Sequence, residues 1–131
     1  MSTFEAVEVI PHGIARPAAN YAHAVLSVHS TRMLHTSGVV PTRPDGSVPE
    51  ALADQARTIW VALRALLDEV GMTVTNVVSV TTYVVVGEDL AVVMAARDEA
   101  LGGHRAASTL VTVPALAQPA WRMEIAIVAT A

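Results

Sequence analysis

The chain has 131 residues, of which 53% are hydrophobic and only 15% are charged, and its formal net charge is −4. One domain of this length can bury a sizeable core, and no stretch reaches the roughly 20 consecutive apolar residues of a membrane-spanning helix. The absence of Cys and Lys excludes disulfides, thiol chemistry and lysine Schiff bases, and the acidic charge argues against a general nucleic-acid binder.

The charged fraction lies below the usual value of roughly 25%, so the chain is short of polar surface. We expect a single domain over residues 1–131 that covers this apolar excess by oligomerisation. The first ten residues include Glu5 and Glu8 and lack the basic start and apolar core of a signal peptide. We therefore expect a cytoplasmic location.

The first third of the chain predicts three short strands. Residues 4–10 alternate loosely and end at Pro11, and residues 22–28 and 32–36 predict a hairpin around the sequence "HST". The following "SGVVPTRPDGSVPE" is rich in Pro and Gly and predicts a loop.

Two helices are predicted further along. Ser47 and Glu50 fit a capping box at the start of the first helix, and Gly71 fits a left-handed stop at its end. Apolar residues recur between them at helical spacing, namely Leu52, Ala56, Ile59, Trp60, Leu63, Leu66, Leu67 and Val70. Residues 90–101 form the second helix, which follows two acidic residues suited to a helix N-terminus.

Three longer strands are predicted at residues 76–86, 105–113 and 122–130. Strict alternation in the first of them would place Val77 on the same face as Ser79, Thr81, Tyr83 and Val85, a face without charge. The element order β-ββ-α-β-α-ββ predicts an α+β sandwich with both helices on one side of a mixed sheet. The uncharged second face would be costly to leave in water, and we interpret it as a subunit contact.

Arg105 and Glu124 are the main candidates for chemistry, because each lies near the start of one of the last two strands, which are otherwise nearly uncharged. An arginine fork matches a carboxylate or phosphate, and a glutamate can orient or deprotonate water. The pattern alone favours a plainer interpretation, in which the two form a structural salt bridge or lie at solvated strand ends. Tyr21 and the pair Ser37 and Gly38 are weaker candidates.

The five His residues show no metal-ligand spacing, so no metal site is predicted. His104 adjoins Arg105, but a histidine in a turn is more often structural.

Five stretches, in order, resemble the reactive intermediate deaminases, the RidA-like group also called the YjgF or L-PSP family. They are "NYAHAV", "LHTSGVVP", "NVVSVTTYV", "HRAASTLVTVPAL" and "RMEIAIVA". The resemblance implies a chorismate-mutase-like fold of the bacillus type, β-β-α-β-α-β-β, and a homotrimer with sites between subunits. It also implies hydrolysis of 2-imino and 2-enamino acids, such as 2-aminoacrylate and 2-iminobutanoate, to 2-keto acids and ammonia, without a metal or organic cofactor.

The resemblance also implies roles for single residues. Arg105 falls on the arginine that holds the substrate carboxylate, and Glu124 falls on the glutamate that directs the attacking water. Four further positions line the cleft in the family: Tyr21, Ser37, Gly38 and Ala107, the last of which stands where many members have Cys.

Several residues depart from the family pattern and leave the preferred substrate open. They are Asn20, Val39, Met94, Gly103 and His104. The leading hypothesis is an imine and enamine deaminase without nucleic-acid or membrane partners. Val39 and Met94 motivate the alternative of a non-catalytic small-carboxylate binder. A ribonuclease is the third hypothesis, disfavoured by the acidic charge and the absence of Lys.

Overall fold

A mixed four-stranded sheet organises the computed structural model, which describes residues 3–131. The strands are β1 (Glu5–Glu8), β2 (Val25–Val28), β3 (Met33–His35), β4 (Val77–Val85), β5 (Ala107–Val113) and β6 (Met123–Thr130); the helices are α1 (Leu52–Glu69) and α2 (Leu90–Leu101). The main sheet has the order β3-β6-β4-β5. β5 runs parallel to β4, whereas β6 runs antiparallel to both β4 and β3. The predicted α+β architecture is confirmed.

Both helices pack on one face of the sheet, where the core lies. Ile59 and Leu63 of α1 are fully buried with Val80, Ile125 and Ile127 of the sheet. The predicted apolar stripe of α1 is largely correct, except that Leu66 is 43% exposed, because it lies at the edge of the stripe. Within residues 3–131, neither helix is both long enough and apolar enough to cross a membrane.

The predicted capping box at the start of α1 is wrong. Asp45 accepts hydrogen bonds from the amide and the hydroxyl of Ser47, at 2.9 and 2.6 Å, and these bonds hold the pKa of Asp45 below its ordinary value. Because Asp45 engages Ser47, α1 begins later, with Ala51 as its N-cap and no side-chain cap. At the other end Gly71 adopts φ +70°, as predicted.

The predicted hairpin between residues 22–28 and 32–36 is also wrong. β2 pairs with β1 in a separate two-stranded ribbon, and β3 pairs with β6. β6 carries an apolar core face, and β3 satisfies the backbone groups along the edge of β6 that β4 leaves free. The chain therefore passes from the ribbon to the main sheet at residues 29–32.

A register shift between Val77 and Ser79 changes the predicted faces of β4. Val77 is fully buried with the core, although strict alternation placed it with Ser79. A β-bulge adds one residue to one strand and so reverses the alternation on one side of it. From Ser79 onward the prediction is correct.

The second face of the main sheet carries mostly small, hydroxyl and apolar side chains, and we call it the open face. By strand register it comprises Met33, His35, Ser79, Thr81, Tyr83, Val85, Ala107, Thr109, Val111, Val113, Glu124, Ala126, Val128 and Thr130. Within residues 3–131 no helix packs on it, and Val111 is 41% exposed. Among the residues of the open face, Glu124 is the one with a carboxylate.

Candidate functional site

Arg105 lies just before β5 and is held by three partners from the N-terminal part of the chain. Its Nε donates to Glu8 Oε1 at 2.9 Å and its Nη2 donates to Glu8 Oε2 at 3.2 Å. Nη2 also donates to the Tyr21 carbonyl, and Nη1 donates to Asn20 Oδ1 at 3.3 Å. The guanidinium is therefore in a two-pronged ion pair with Glu8.

Backbone contacts fix where this arginine sits. Ala22 forms a parallel bridge with Ala107, and its amide donates to the Ala106 carbonyl at 3.0 Å. Nε2 of His104 lies 2.7 Å from the carbonyl oxygen of Val77, which ties the residue before Arg105 to the start of β4. His104 thus has a structural contact, consistent with the plainer interpretation.

Tyr21 and Ala107 lie beside Arg105, and we call these three residues the arginine half-site. The Tyr21 hydroxyl accepts a hydrogen bond from the amide of Ala18 at 3.3 Å. Its ring meets the ring of His23 edge-on, with the centroids 5.9 Å apart. These contacts hold the loop in front of Arg105.

A cavity of about 340 Å³ adjoins the arginine half-site. Glu8 and His23 line it together with the loop that follows β1. A larger groove, of about 510 Å³, lies between the outer surfaces of α1 and α2. None of the predicted site residues lines that groove, and of its arginines Arg57 pairs with Asp54 and Arg64 donates to the Ala100 carbonyl. Neither Arg105 nor Tyr21 lines the smaller cavity, which is connected to the predicted chemistry through Glu8, the ion-pair partner of Arg105.

Glu124 lies on β6 directly opposite Tyr83 of β4. Its carboxylate lies against Gly38, where an added Cβ would overlap Glu124 Oε2. Val39 forms a bridge with Ile125, with reciprocal backbone bonds of 2.7 and 3.1 Å, and this bridge holds the loop that contains Ser37 and Gly38 beside Glu124. We call Glu124, Ser37 and Gly38 the glutamate half-site.

Glu124 is half-buried and forms no ion pair with another residue of positions 3–131. None of the salt bridges within residues 3–131 includes Glu124. Ser37 is exposed at the surface of the same half-site. The carboxylate can therefore interact with a molecule that approaches the open face.

The two half-sites lie at opposite ends of the sheet in one chain. Ala107 is level with Ser79, so Arg105 is level with Val77, whereas Glu124 is level with Tyr83. Six residues of β4 separate these levels, or about 20 Å at roughly 3.3 Å per residue. The starts of β5 and β6 diverge because β5 runs parallel to β4 and β6 runs antiparallel. A salt bridge between Arg105 and Glu124 within the chain is therefore excluded.

Sequence reasoning missed two acidic residues that bind arginines. Glu8 is 97 positions from Arg105, and no spacing rule connects them. Glu88 accepts hydrogen bonds from Nε and Nη2 of Arg122, at 2.7 and 2.6 Å. Nη1 of Arg122 also donates to the Glu50 carbonyl.

The Glu88 and Arg122 pair supports the glutamate half-site, because Arg122 is two residues before Glu124. Hydrogen bonding from Arg122, reinforced by its positive charge, lowers the pKa of Glu88, while burial opposes this shift. The same contacts raise the pKa of Arg122. The pair anchors the start of β6 to the turn between β4 and α2.

A family model and several solved structures match most of this chain. A family model described as Endoribonuclease L-PSP matches residues 13–131. Among solved structures, YyfB of Yersinia pestis, a Rid family protein, is 28% identical with a TM-score of 0.86, covering 96% of this chain and 98% of its own. YjgF of E. coli is 28% identical with a TM-score of 0.71, covering 98% of both chains.

A more distant structure shares the fold alone. E. coli TdcF is 22% identical with a TM-score of 0.71, and the alignment covers 100% of this chain and 99% of TdcF. Among curated proteins, no significant match is found.

Proposed function

Because this chain belongs to the Endoribonuclease L-PSP family, whose relatives include YjgF and Rid proteins, we propose that it hydrolyses 2-imino and 2-enamino acids. The products are a 2-keto acid and ammonia. The observation that carries the proposal is the pair of half-sites on a largely uncharged sheet face, one with an arginine and the other with a glutamate that forms no ion pair among residues 3–131.

The proposed active site is assembled between two protomers. Arg105 and Glu124 are about 20 Å apart along the strands of one sheet, too far to contact one small substrate. The open face supports self-association, because its apolar and hydroxyl groups are costly to leave in water. We propose a homotrimer in which the arginine half-site of one protomer faces the glutamate half-site of the next.

In the proposed reaction Arg105 holds the substrate carboxylate by charge-assisted hydrogen bonds. The imine carbon is already electrophilic, so the protein mainly has to position a water molecule. Glu124 accepts a proton from that water as its oxygen bonds to the carbon. Glu124 passes this proton to the imine nitrogen, which gives a neutral carbinolamine. The hydroxyl proton of the carbinolamine then moves to the same nitrogen by way of Glu124 as the C–N bond breaks, so ammonia leaves and the keto acid remains.

The remaining predicted residues have supporting roles in this proposal. Tyr21 and Ala107 border the carboxylate end of the substrate, and Ser37 and Gly38 border the water. Gly38 leaves space for the Glu124 carboxylate, so the catalytic group can sit close to the loop backbone. None of these roles requires a metal or an organic cofactor.

The test is keto-acid release from 2-iminobutanoate generated in situ by a dehydratase. We expect the wild type to exceed the uncatalysed rate, and Arg105→Ala to lose about 100-fold or more in kcat/KM, because charged hydrogen bonds contribute about 1.5–3 kcal/mol each. Arg57→Ala is the control, since Arg57 is an exposed residue of α1 paired with Asp54. If the wild type and Arg105→Ala both match the uncatalysed rate, the proposal is wrong.

Two alternatives to the deaminase are considered. The family name suggests ribonuclease activity, and the same cleft could serve a protein that binds small carboxylates without turnover. RNA binding depends on clustered cations, whereas this chain has a net charge of −4 and no Lys. Calorimetry with 2-ketobutyrate, run beside the activity assay, distinguishes the two remaining functions. Binding without turnover would indicate a small-carboxylate binder.

A further inference from the structure

We infer that Glu8 is an internal competitor that limits the affinity of the arginine half-site for carboxylates, because its carboxylate occupies the edge of Arg105 that an organic anion would take. This inference rests on the proposed function only in naming a carboxylate as the ligand of Arg105. It adds that the ligand must compete with a carboxylate supplied by the chain itself.

Counting donors supports this role. A guanidinium has five N–H groups, and Glu8 takes one from Nε and one from Nη2. The Tyr21 carbonyl takes the second from Nη2, and Asn20 takes one from Nη1. Within residues 3–131, a single N–H on Nη1 is left without a partner, so a ligand cannot bind in the two-pronged geometry while Glu8 stays in place.

Charge supports the same conclusion. Glu8 neutralises Arg105 at 2.9 Å, so an approaching anion meets an ion pair rather than a free cation. A ligand carboxylate would gain the arginine's attraction only by displacing that of Glu8. The pair therefore lowers the affinity of the half-site for small anions.

Exchange between Glu8 and a ligand is feasible because the pair is accessible. The side chains of Arg105 and Glu8 are 35% and 26% exposed, and Glu8 ends β1, which pairs with β2 in a ribbon separate from the main sheet. Displacing the Glu8 side chain leaves the main sheet intact. Glu8 is thus a displaceable internal ligand and not a fixed part of the core.

Population arithmetic gives the expected size of the effect. The apparent dissociation constant equals the intrinsic constant divided by the fraction of molecules in which Arg105 is free. Partly exposed ion pairs of this kind are modest in strength, so removing the competitor should tighten carboxylate binding about three- to tenfold.

The experiment measures 2-ketobutyrate binding by calorimetry, using the 131-residue wild type and its Glu8→Gln and Glu5→Gln variants. We expect Glu8→Gln to bind about three- to tenfold more tightly than the wild type. Glu5→Gln makes the same change in net charge on the same strand but is exposed and lies outside the Arg105 contacts, so its affinity should equal that of the wild type. Unchanged, weaker or undetectable binding by a folded Glu8→Gln variant would overturn the inference.

Glu8→Asp provides a second variant that keeps the charge. Its carboxylate is one methylene shorter and cannot span Nε and Nη2 of Arg105 while β1 keeps its register, so we expect affinity between those of wild type and Glu8→Gln. If circular dichroism shows Glu8→Gln to be unfolded, Glu8→Asp decides, and affinity equal to wild type then overturns the inference.

These results are separable from the proposed function. Tighter binding by the Glu8 variants with no imine hydrolysis by any variant would uphold the inference and overturn the deaminase. Unchanged binding by the Glu8 variants together with Arg105-dependent hydrolysis would overturn the inference and support the deaminase.

Discussion

The carboxylate of Glu124 occupies the space that a side chain on Gly38 would fill. Gly38 does not have a positive φ, so glycine is required here for space and not for backbone conformation. Two segments far apart in the sequence thereby form one half-site, with the loop after β3 supplying the room that β6 uses.

The first prediction is that Gly38→Ala impairs catalysis more than stability. The added methyl must displace the Glu124 carboxylate, and a shift of about 1 Å in a catalytic group can reduce the rate by as much as 100-fold. We expect kcat for 2-iminobutanoate to fall about 10- to 100-fold, with a small change in melting temperature.

Gly71→Ala is the matched control for Gly38→Ala. Gly71 has φ +70° at the end of α1, where alanine costs about 1–2 kcal/mol of stability. We expect Gly71→Ala to have a lower melting temperature than the wild type and to keep the wild-type kcat. The opposite pattern in the two variants would contradict the role assigned to Gly38.

The second prediction concerns Glu124→Gln, which keeps the size of the side chain and removes its basicity. General-base catalysis contributes typically 10²–10⁴-fold, so kcat should fall by about that factor while 2-ketobutyrate affinity stays near the wild-type value. Glu69→Gln, at the exposed end of α1, should leave both unchanged. A variant with normal kcat would show that Glu124 does not direct the water.

The fold was largely predictable because hydrophobic periodicity determines which face of each element is buried. The limits of α2 at Leu90 and Leu101 agree with the prediction, since Asp89 caps the helix and Gly102 ends it in a left-handed conformation. Where the prediction failed, features that periodicity does not encode decided the structure, including the pairing of β2 with β1 and of β3 with β6 in place of a hairpin. Asp45 engages Ser47 in place of a helix cap, and a bulge places Val77 in the core.

The third prediction is that Glu88→Gln destabilises the fold by about 1–2 kcal/mol at neutral pH. Hydrogen bonds to charged groups contribute about 1.5–3 kcal/mol, and the value is reduced here because Arg122 is 34% exposed. Chemical denaturation at pH 7 measures the loss. Asp54→Asn, which removes a mostly exposed pair with Arg57, should change stability by less than about 0.5 kcal/mol.

The same pair predicts a pH dependence. The pKa of Glu88 is lower in the folded protein than its ordinary value of 4.5, so its stabilisation is present above that value. It is lost as the pH falls through the folded-state pKa. Between pH 6 and pH 3 the wild type should therefore lose more stability than Glu88→Gln, and equal losses would contradict the assignment.

The individual residues of the candidate site could be predicted from the sequence, but their partners and relative positions could not. Arg105 and Glu124 stand out as charges near the starts of two otherwise mostly apolar segments, whereas the partner of Arg105 is an acidic residue 97 positions away. Sequence patterns report local periodicity, and they do not reveal which distant segments meet. For the same reason the opposite strand directions of β5 and β6, which separate the two half-sites, became clear only from the sheet register.

The fourth prediction tests the open face as a subunit contact. Val111 lies on this face beside Tyr83 and is 41% exposed in the single chain. A charge at this position would be buried without a partner in the oligomer, at a cost of several kcal/mol. Light scattering should therefore give the molar mass of a monomer for Val111→Glu, and this variant should lose imine hydrolysis.

Val61→Glu is the control for that experiment, because Val61 is 70% exposed on the outer side of α1. We expect it to keep the oligomeric state of the wild type. A Val111→Glu protein with unchanged mass and activity would place the subunit contact elsewhere.

The most direct test of the proposed shared site is complementation between two inactive variants. Arg105→Ala retains an intact glutamate half-site, and Glu124→Gln retains an intact arginine half-site. When the two are unfolded and refolded together, about one quarter of the interfaces should combine both intact half-sites, since each occurs in half of the protomers of a random closed oligomer. The proposal predicts recovery of about one quarter of wild-type activity, and mixed oligomers that stay as inactive as the separate variants would contradict it.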